Sequence, residues 1–179
     1  EAESVEFPSG AQLTLEEPAS NLCINCHQGR ESAASVDNRI GETPDDEVSE
    51  SLRFVNVHYL PAGATLFGSE AEGGYQYAGQ EYSGRNEHIP GFDTCVECHS
   101  THQLEVLVEE CSDCHEVETA EDLVTIQHED STTDYDGDGD VEEGIAGEID
   151  TMYEALYAAI QAYSTNASGS AIVYESHSY

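Results

Sequence analysis

The sequence predicts a mostly irregular and α-helical fold with few short strands. Of its 179 residues only 38% are hydrophobic, Trp is absent and Met occurs once, so an apolar core would be thin for a chain of this length. Clear apolar periodicity is confined to helical segments. Six cysteines could organise such a chain as a disulfide framework, as a metal site or as points of cofactor attachment.

The first predicted elements are an arm and one helix. Residues 1–19 are polar and interrupted by proline, and we expect them to form an extended N-terminal arm. A helix is predicted between Thr43 and Tyr59, because Thr43 can cap it, Pro44 suits its first position and the acidic residues that follow favour the positive helix end. Its apolar face would consist of Val48, Leu52, Val55 and Tyr59.

Residues 60–94 are rich in Gly, Tyr and Ser and are predicted to form loops with a short hairpin. The alternation around Tyr75, Tyr77 and Tyr82 indicates the hairpin. These rings either pack on a flat ring system while their hydroxyls stay in water, or they are ordinary hairpin aromatics. The sequence leaves both interpretations open.

Two further helices are predicted in the last third of the chain. Thr119 with Asp122 resembles a capping box that opens a short helix toward His128. A longer helix keeps one apolar face through about five turns, with Ile145, Ile149, Met152, Tyr153, Leu156, Ile160 and Tyr163 on that face. A strand from Ala171 to Tyr174 would follow. The predicted organisation is one continuous domain with an arm over 1–19, a core over 20–129, and an acidic loop, long helix and tail over 130–179.

The charge of the chain excludes several classes of partner. It has 38 acidic residues against four basic ones, for a formal net charge of -34. Nucleic acid is excluded because phosphate binding depends on Lys and Arg, and an anionic membrane surface would repel the chain. The acidity either keeps the protein dispersed or reflects a saline habitat, where screening acts over about 3 Å at molar salt. Bound calcium would relieve the repulsion too.

The sequence also predicts where the protein resides. No apolar run approaches the roughly 20 residues that a membrane-spanning helix needs. A basic and apolar leader is absent at Glu1. We therefore expect a mature, exported chain, extracellular or at the cell surface, whose signal peptide has been removed.

All six cysteines fall into three copies of the motif Cys-x-x-Cys-His, the attachment motif for c-type haem. Its two thiols form thioether bonds to the porphyrin and its histidine binds the iron. A zinc site would pair two Cys-x-x-Cys knuckles and leave the third unexplained, and a thioredoxin-type pair needs one motif only. We predict a small multihaem cytochrome fold organised by three haem c groups, held by Cys23, Cys26 and His27, by Cys95, Cys98 and His99, and by Cys111, Cys114 and His115.

Five further histidines could supply the sixth ligand of each iron, because the chain has a single Met. His102 follows His99 too closely to reach readily around the same haem, so it would bind a neighbouring haem and hold the two haems together. His58, on the predicted helix face, and His88, just before the second motif, are the other first candidates. A histidine near the C-terminus is usually solvated, unless it binds a haem of an adjacent subunit. This applies to His177, and His128 and His177 are the second-tier candidates.

An acidic loop precedes the predicted long helix. Carboxylates stand at positions 1, 3, 5 and 7 of an EF-hand-like pattern, with Gly139 at position 6. Position 12 is Ile145 instead of a bidentate glutamate, so Glu142 or Glu143 would have to substitute. The loop is either a solvated acidic turn or a calcium site built from Asp134, Asp136, Asp138, Asp140 and Glu142.

Likeness to a known family lies in the segments CINCHQGRES (23–32), LRFVNVHY (52–59), GSEAEGGYQY (68–77), HIPGFDTCVECHSTHQLEV (88–106) and DYDGDGDVEEGIAGEID (134–150). These segments resemble a family of secreted multihaem cytochromes, some of whose broader relatives polymerise into extracellular conductive filaments. In such cytochromes a Cys-x-x-Cys-His-x-x-His run, here ending at His102, frequently accompanies closely stacked haems. The resemblance implies that His58, His88 and His102 are distal ligands.

The leading hypothesis is electron transfer by haems that are each held by two histidines, without an open iron site. Copies of the chain could form a homo-oligomer, and head-to-tail contacts that do not close would give a helical filament, or nanowire. The rival hypothesis is a reductase of small oxyanions or peroxide with one open haem iron. Its anion pocket would need basic donors in a strongly negative field, and the only basic residues are Arg30, Arg39, Arg53 and Arg85. We therefore predict redox partners and no catalytic residue.

Overall fold

The computed structural model describes residues 4–58, 60–127 and 133–172. The chain divides into two compact units, an N-terminal unit of residues 1–107 and a C-terminal unit of residues 108–179. Helices and irregular segments dominate, and the named strands of the described part form one two-stranded sheet. The predicted fold class is confirmed in these terms. The two units divide before the third motif. The organisation as one continuous domain, with a segment change at 129/130, stays a prediction.

The N-terminal unit begins with a small antiparallel sheet. Strand β1 (Val5–Glu6) pairs with β2 (Gln12–Leu13), with Val5 opposite Leu13. Gly10 adopts a φ of 92° in the connecting turn and donates its N–H to the Phe7 carbonyl at 2.7 Å. The prediction of an extended arm over 1–19 is therefore wrong for residues 4–19.

The small core of this unit explains why the arm folds back. Its buried members are Val5, Phe7, Leu15, Ile24, Ala64, Phe67 and Ala71. The rings of Phe7 and Phe67 meet edge to face, with centroids 5.5 Å apart. Val5, Phe7 and Leu15 thus supply three of the seven buried core residues. A chain with so small a core would lose much of its apolar burial if these residues stayed in water.

Helix α1 (Pro18–His27) lies at the centre of this core. The Glu17 carboxylate caps it by accepting the N–H groups of Ala19 at 2.9 Å and Ser20 at 2.6 Å. Asn21 holds the incoming chain, because its side chain accepts the N–H of Leu15 and donates to the carbonyl of the same residue, both at 2.8 Å. The side chains of Ser20, Asn21 and Ile24 are buried.

Helix α3 (Ala62–Phe67) packs against α1. A Cβ on Gly63 would lie 3.0 Å from Ile24 Cγ2 and 3.0 Å from the His27 carbonyl oxygen. Glycine therefore allows the two helices to approach closely at the end of α1. Helix α2 (Ala33–Ile40) lies between them in sequence, and a 3-10 turn (Gly68–Glu70) follows α3.

The predicted helix between Thr43 and Tyr59 is not formed over the described residues 43–58. Asp46 and His58 have φ values of 64° and 75°, which a right-handed helix excludes. The Val48 side chain is 77% exposed. A short helix in water depends on packing of its apolar face, and this segment contributes no residue to the buried core.

The predicted hairpin near Tyr75 forms a turn but no named strands in the described chain. Tyr77 donates its N–H to the Tyr82 hydroxyl at 2.8 Å, and Gln80 donates its N–H to the Tyr77 carbonyl at 3.2 Å. The hairpin prediction is therefore wrong for the strands. Helix α4 (Cys95–Cys98) completes the helices of the N-terminal unit.

The C-terminal unit contains α5 (Val108–Cys111), a 3-10 helix (Ala120–Thr125) and α6 (Ile145–Ser168). The Asp122 carboxylate accepts the N–H groups of Glu118 at 2.9 Å and Thr119 at 2.8 Å, so the predicted capping box is confirmed. The predicted long helix is confirmed as α6. Residues 171–172 are not in a strand, and the remainder of the predicted final strand lies outside the described residues. No helix in the described part combines the length and apolarity that a membrane span requires.

If the N-terminal segment belongs to the core, Phe7→Ala should lower the free energy of unfolding by about 3–5 kcal/mol, because it removes a fully buried ring. Urea unfolding followed by circular dichroism measures the change. Val48→Ala is the exposed control and should cost no more than about 0.5 kcal/mol. Equal small effects from both variants would contradict the observed packing.

Candidate functional site

The first Cys-x-x-Cys-His motif lies at the C-terminal end of α1. Cys23, Cys26 and His27 stand at i, i+3 and i+4, so helical spacing places both thiols and the imidazole on one side of α1. Cys23 is half-buried, whereas Cys26 and His27 are exposed. Burial of the opposite face thus directs the three attachment groups away from the core.

The imidazole of His27 is held by the backbone of a distant segment. Its Nδ1 lies 2.9 Å from the carbonyl oxygen of Leu60. A carbonyl can only accept, so Nδ1 carries the proton and donates it, and in the neutral imidazole Nε2 has the lone pair. This is the tautomer and the second-shell bond that histidine ligands of metals usually show.

The second motif is docked on the first motif's helix. The Cys95 N–H donates to Ser20 Oγ at 3.0 Å, and Ser20 is fully buried. Burial raises the pKa of the Cys95 thiol, and the neighbouring Cys23 thiol raises it further. The first two motifs therefore present one cysteine each to the same small region.

Helix α4 has its own carboxylate cap. Glu97 Oε2 accepts the N–H groups of Thr94 at 2.8 Å and Asp93 at 2.9 Å. The hydrogen bond from the Thr94 N–H is the main reason why the pKa of Glu97 lies below its ordinary value of 4.5. The second motif thus begins on a single helical turn, and Glu97, the third residue of that turn, caps its start.

A closed turn carries His99 and His102. His99 bridges to Val106, and the Ser100 N–H donates to the Glu105 carbonyl at 2.9 Å. The Leu107 N–H returns to the Cys98 carbonyl at 2.8 Å. Both imidazoles are exposed, so the structure presents two potential iron ligands on one compact loop.

The segment around His58 runs beside the end of α1. The Arg30 N–H donates to the Val57 carbonyl at 3.2 Å, and the Leu60 carbonyl accepts from His27. His58 thus lies in sequence between a bond to Arg30, shortly after α1, and a bond to His27 of the first motif. His88 is exposed and precedes the Ile89–Phe92 bridge. The second-tier candidates His128 and His177 lie outside the described residues.

The third motif lies in the C-terminal unit. The N–H groups of Cys114 and His115 donate to the Cys111 carbonyl at 3.2 and 2.9 Å. Cys111 and His115 are half-buried and Cys114 is exposed. Two motifs therefore belong to the N-terminal unit and one to the C-terminal unit.

The acidic loop gathers a different carboxylate set from the predicted one. Ligand oxygens of Asp134, Asp136 and Asp138 lie within 4.8 Å of one another, and so do those of Asp136, Glu143 and Glu148. Asp140 and Glu142 belong to neither group. Glu148 stands outside the EF-hand pattern and was missed, because its approach depends on how α6 meets the loop.

Large apolar side chains flank the attachment and candidate ligand residues. Leu22 precedes Cys23 and is 69% exposed, Leu60 follows His58 and is 77% exposed, and Leu104 follows His102 and is 73% exposed. The fit to haem rests on the two thiols and the His27 imidazole that α1 presents on one side.

Comparison with known proteins identifies relatives over about half of the chain. It is 37% identical over 108 residues to the C-type polyheme cytochrome OmcC of Geobacter sulfurreducens, a match that covers 52% of this chain and 13% of OmcC. It is 38% identical over 78 residues to the C-type polyheme cytochrome OmcB from two strains of that organism, covering 42% of this chain and 9% of OmcB. No protein-family model and no solved structure matches the chain.

The chain is thus related to multihaem c-type cytochromes. It spans only a small part of the length of the relatives that it matches. The relationship supports c-type haem as the group that the Cys-x-x-Cys-His motifs hold.

The Glu97 cap should make stability depend on pH. A carboxyl group whose pKa is lowered on folding stabilises the protein above its unfolded pKa, near 4.5, and loses this effect as the pH falls through the lowered value. Glu97→Gln should therefore lower the free energy of unfolding at pH 6 by less than about 1 kcal/mol, and the loss should shrink as the pH falls through the lowered pKa. The control is Glu105→Gln in the exposed turn, and an equal response from both variants would contradict the cap.

Proposed function

We propose that this chain, a relative of polyhaem c-type cytochromes, carries three c-type haems and transfers electrons outside the cytoplasm. The observation that carries the proposal is the hydrogen bond from His27 Nδ1 to the Leu60 carbonyl. In the neutral imidazole, it leaves the Nε2 lone pair available to bind a metal ion, next to two thiols on one side of α1. A redox dithiol would not require an oriented imidazole in that place. The three Cys-x-x-Cys-His copies favour haem over a zinc site, which would pair two knuckles and leave the third unexplained.

When bound, a c-type haem supplies an iron that accepts and releases one electron. Cys23 and Cys26 would anchor it through thioether bonds, and His27 would bind the iron through Nε2. The Leu60 carbonyl makes the His27 imidazole a stronger donor. In a haem held there, this bond would favour the oxidised iron.

The contact between Ser20 and Cys95 supports exchange between the first two sites. Cys95, at the start of α4, is hydrogen-bonded to Ser20 of α1 and lies beside Cys23. The first two attachment sites are therefore in direct contact within the N-terminal unit. The first two haems would therefore sit near each other, as a chain of electron carriers requires.

We assign the sixth ligands to His58, His88 and His102. His102 shares a closed turn with His99, which favours its binding to a different haem from the one that His99 holds. The backbone of His58 lies two residues from the Leu60 carbonyl that holds His27. Because this backbone already holds the proximal ligand His27, we infer that His58 would serve a different haem.

Six such ligands leave no open iron, and this distinguishes electron transfer from reductase chemistry. The charges support the same assignment. Arg85, one of four basic residues, is already engaged with Glu87 at 3.2 Å and lies over the Phe67 ring at 5.6 Å. An anionic substrate would meet a chain of formal charge -34.

Assembly into a filament is the extended form of the proposal. Three haems on a chain of 179 residues with a thin core would leave haem edges near the surface. Neighbouring copies could then exchange electrons through haem edges, and an open head-to-tail contact would make a wire. The calcium ion predicted for the acidic loop is a separate proposal on which electron transfer does not depend.

A haem count tests the proposal. The pyridine haemochrome assay with protein quantitation should give three haems per chain, because each motif attaches one. The double change Cys111→Ala and Cys114→Ala should give two, with the N-terminal unit still loaded. His102→Ala is the control and should retain three, because covalent attachment does not use the distal ligand. A wild-type chain with fewer than three haems would contradict the proposal.

A further inference from the structure

The acidic loop before α6 holds carboxylates that the C-terminal unit cannot neutralise by itself. The last basic residue of the sequence is Arg85, so residues 108–179 contain neither Lys nor Arg. Asp136 belongs to both carboxylate groups of the loop, one with Asp134 and Asp138 and one with Glu143 and Glu148. Two groups of three carboxylates thus share Asp136, and residues 108–179 supply neither Lys nor Arg to neutralise them.

Burial distinguishes this group from a solvated acidic turn. Glu148 is 4% exposed, and its Oε2 accepts the N–H groups of Tyr135 at 2.9 Å and Asp136 at 2.8 Å. Asp136 Oδ2 and Glu143 Oε1 are shielded from solvent and have no hydrogen-bond partner. A buried, unpaired carboxylate is costly, and like charges beside it increase the cost. Such oxygens require a proton or a cation.

Helix α6 leaves room for one of these carboxylates. A Cβ on Gly147 would overlap Oε2 of Glu143. Glycine destabilises a helix relative to alanine, yet here it admits the Glu143 side chain to the group.

We propose that one Ca²⁺ ion is bound here by the carboxylates of Asp134, Asp136, Asp138, Glu143 and Glu148. The donors are hard oxygens on a loop and a helix, in a set large enough for the six to eight ligands that Ca²⁺ takes. Mg²⁺ demands a strict octahedron and keeps its waters. Glu143 and Glu148 replace the glutamate that is missing at position 12, and Glu142 is not a ligand.

The ion would brace the start of α6 within the C-terminal unit. Gln127 Nε2 donates to the carbonyls of Val141 and Glu143, both at 2.8 Å. The Ile145 N–H donates to the Ile126 carbonyl at 3.1 Å. The loop is therefore tied to the residues after the 3-10 helix on one side and to Glu148 on the other. Calcium would stabilise the unit that carries the third motif. Its site would be separate from the residues that attach the haem.

Calorimetric titration of the calcium-free, haem-loaded chain with CaCl₂ in high salt tests the proposal. We expect one saturable site that Mg²⁺ fills far less tightly. At a hundredfold excess over Kd, calcium should raise the unfolding midpoint by about 5 °C. Asp136→Asn and Glu148→Gln should weaken binding by about tenfold or more, because affinity follows the number of charged ligands.

Glu142→Gln is the matched control, since it removes the same charge from an exposed residue of the same loop. It should retain affinity within about threefold. Equal weakening by Glu142→Gln and Glu148→Gln would show diffuse attraction to an acidic chain and overturn the site, as would the absence of saturable binding.

Gly147→Ala separates ligand loss from misfolding. Its new Cβ should expel the Glu143 carboxylate and weaken calcium binding, while alanine favours the helix. The calcium-free unfolding midpoint should therefore stay at or above that of the wild type. Unchanged calcium affinity in this variant would overturn the role of Glu143. We expect the haem content to be the same whether or not calcium binds. Failure of the calcium proposal would therefore leave the proposed electron transfer intact.

Discussion

The buried face of α1 is the constraint on which the N-terminal unit depends. Ile24 packs among the core residues, Asn21 holds the backbone of Leu15, and Ser20 accepts the N–H of Cys95. These three side chains fix the rotation of α1, and helical spacing then turns Cys23, Cys26 and His27 outward. The same helix thus builds the core, presents the first motif and receives the second.

Backbone N–H groups stabilise part of the negative charge of the chain by donating hydrogen bonds to carboxylates. Glu17, Glu97, Asp122 and Glu148 each accept two backbone N–H groups at the start of a helix or loop. The pKa values of Glu17, Glu97 and Asp122 are lowered mainly by these bonds. With four basic residues in the chain, amide dipoles replace the salt bridges that most proteins would use.

Features encoded within a few residues could be predicted from the sequence. The Thr119–Asp122 cap and the face of α6 depend on local spacing, and both were predicted. Features that depend on distant contacts could not. Phe7 was assigned to an arm because its partner Phe67 is sixty positions away, and the segment 43–58 has helix signals but no place in the core. Glu148 joins the acidic loop only because α6 returns to it.

The central claim is that three haems are held here with two histidines each, and the EPR spectrum of the fully oxidised protein tests it most directly. Spectra across a dilution series should show three low-spin irons in the concentrated sample. A centre that becomes high-spin only on dilution would show that a neighbouring copy supplies its distal histidine, as a ligand-bridged filament requires. A high-spin iron at every concentration would contradict the account, because it would reveal an open site where a substrate could bind.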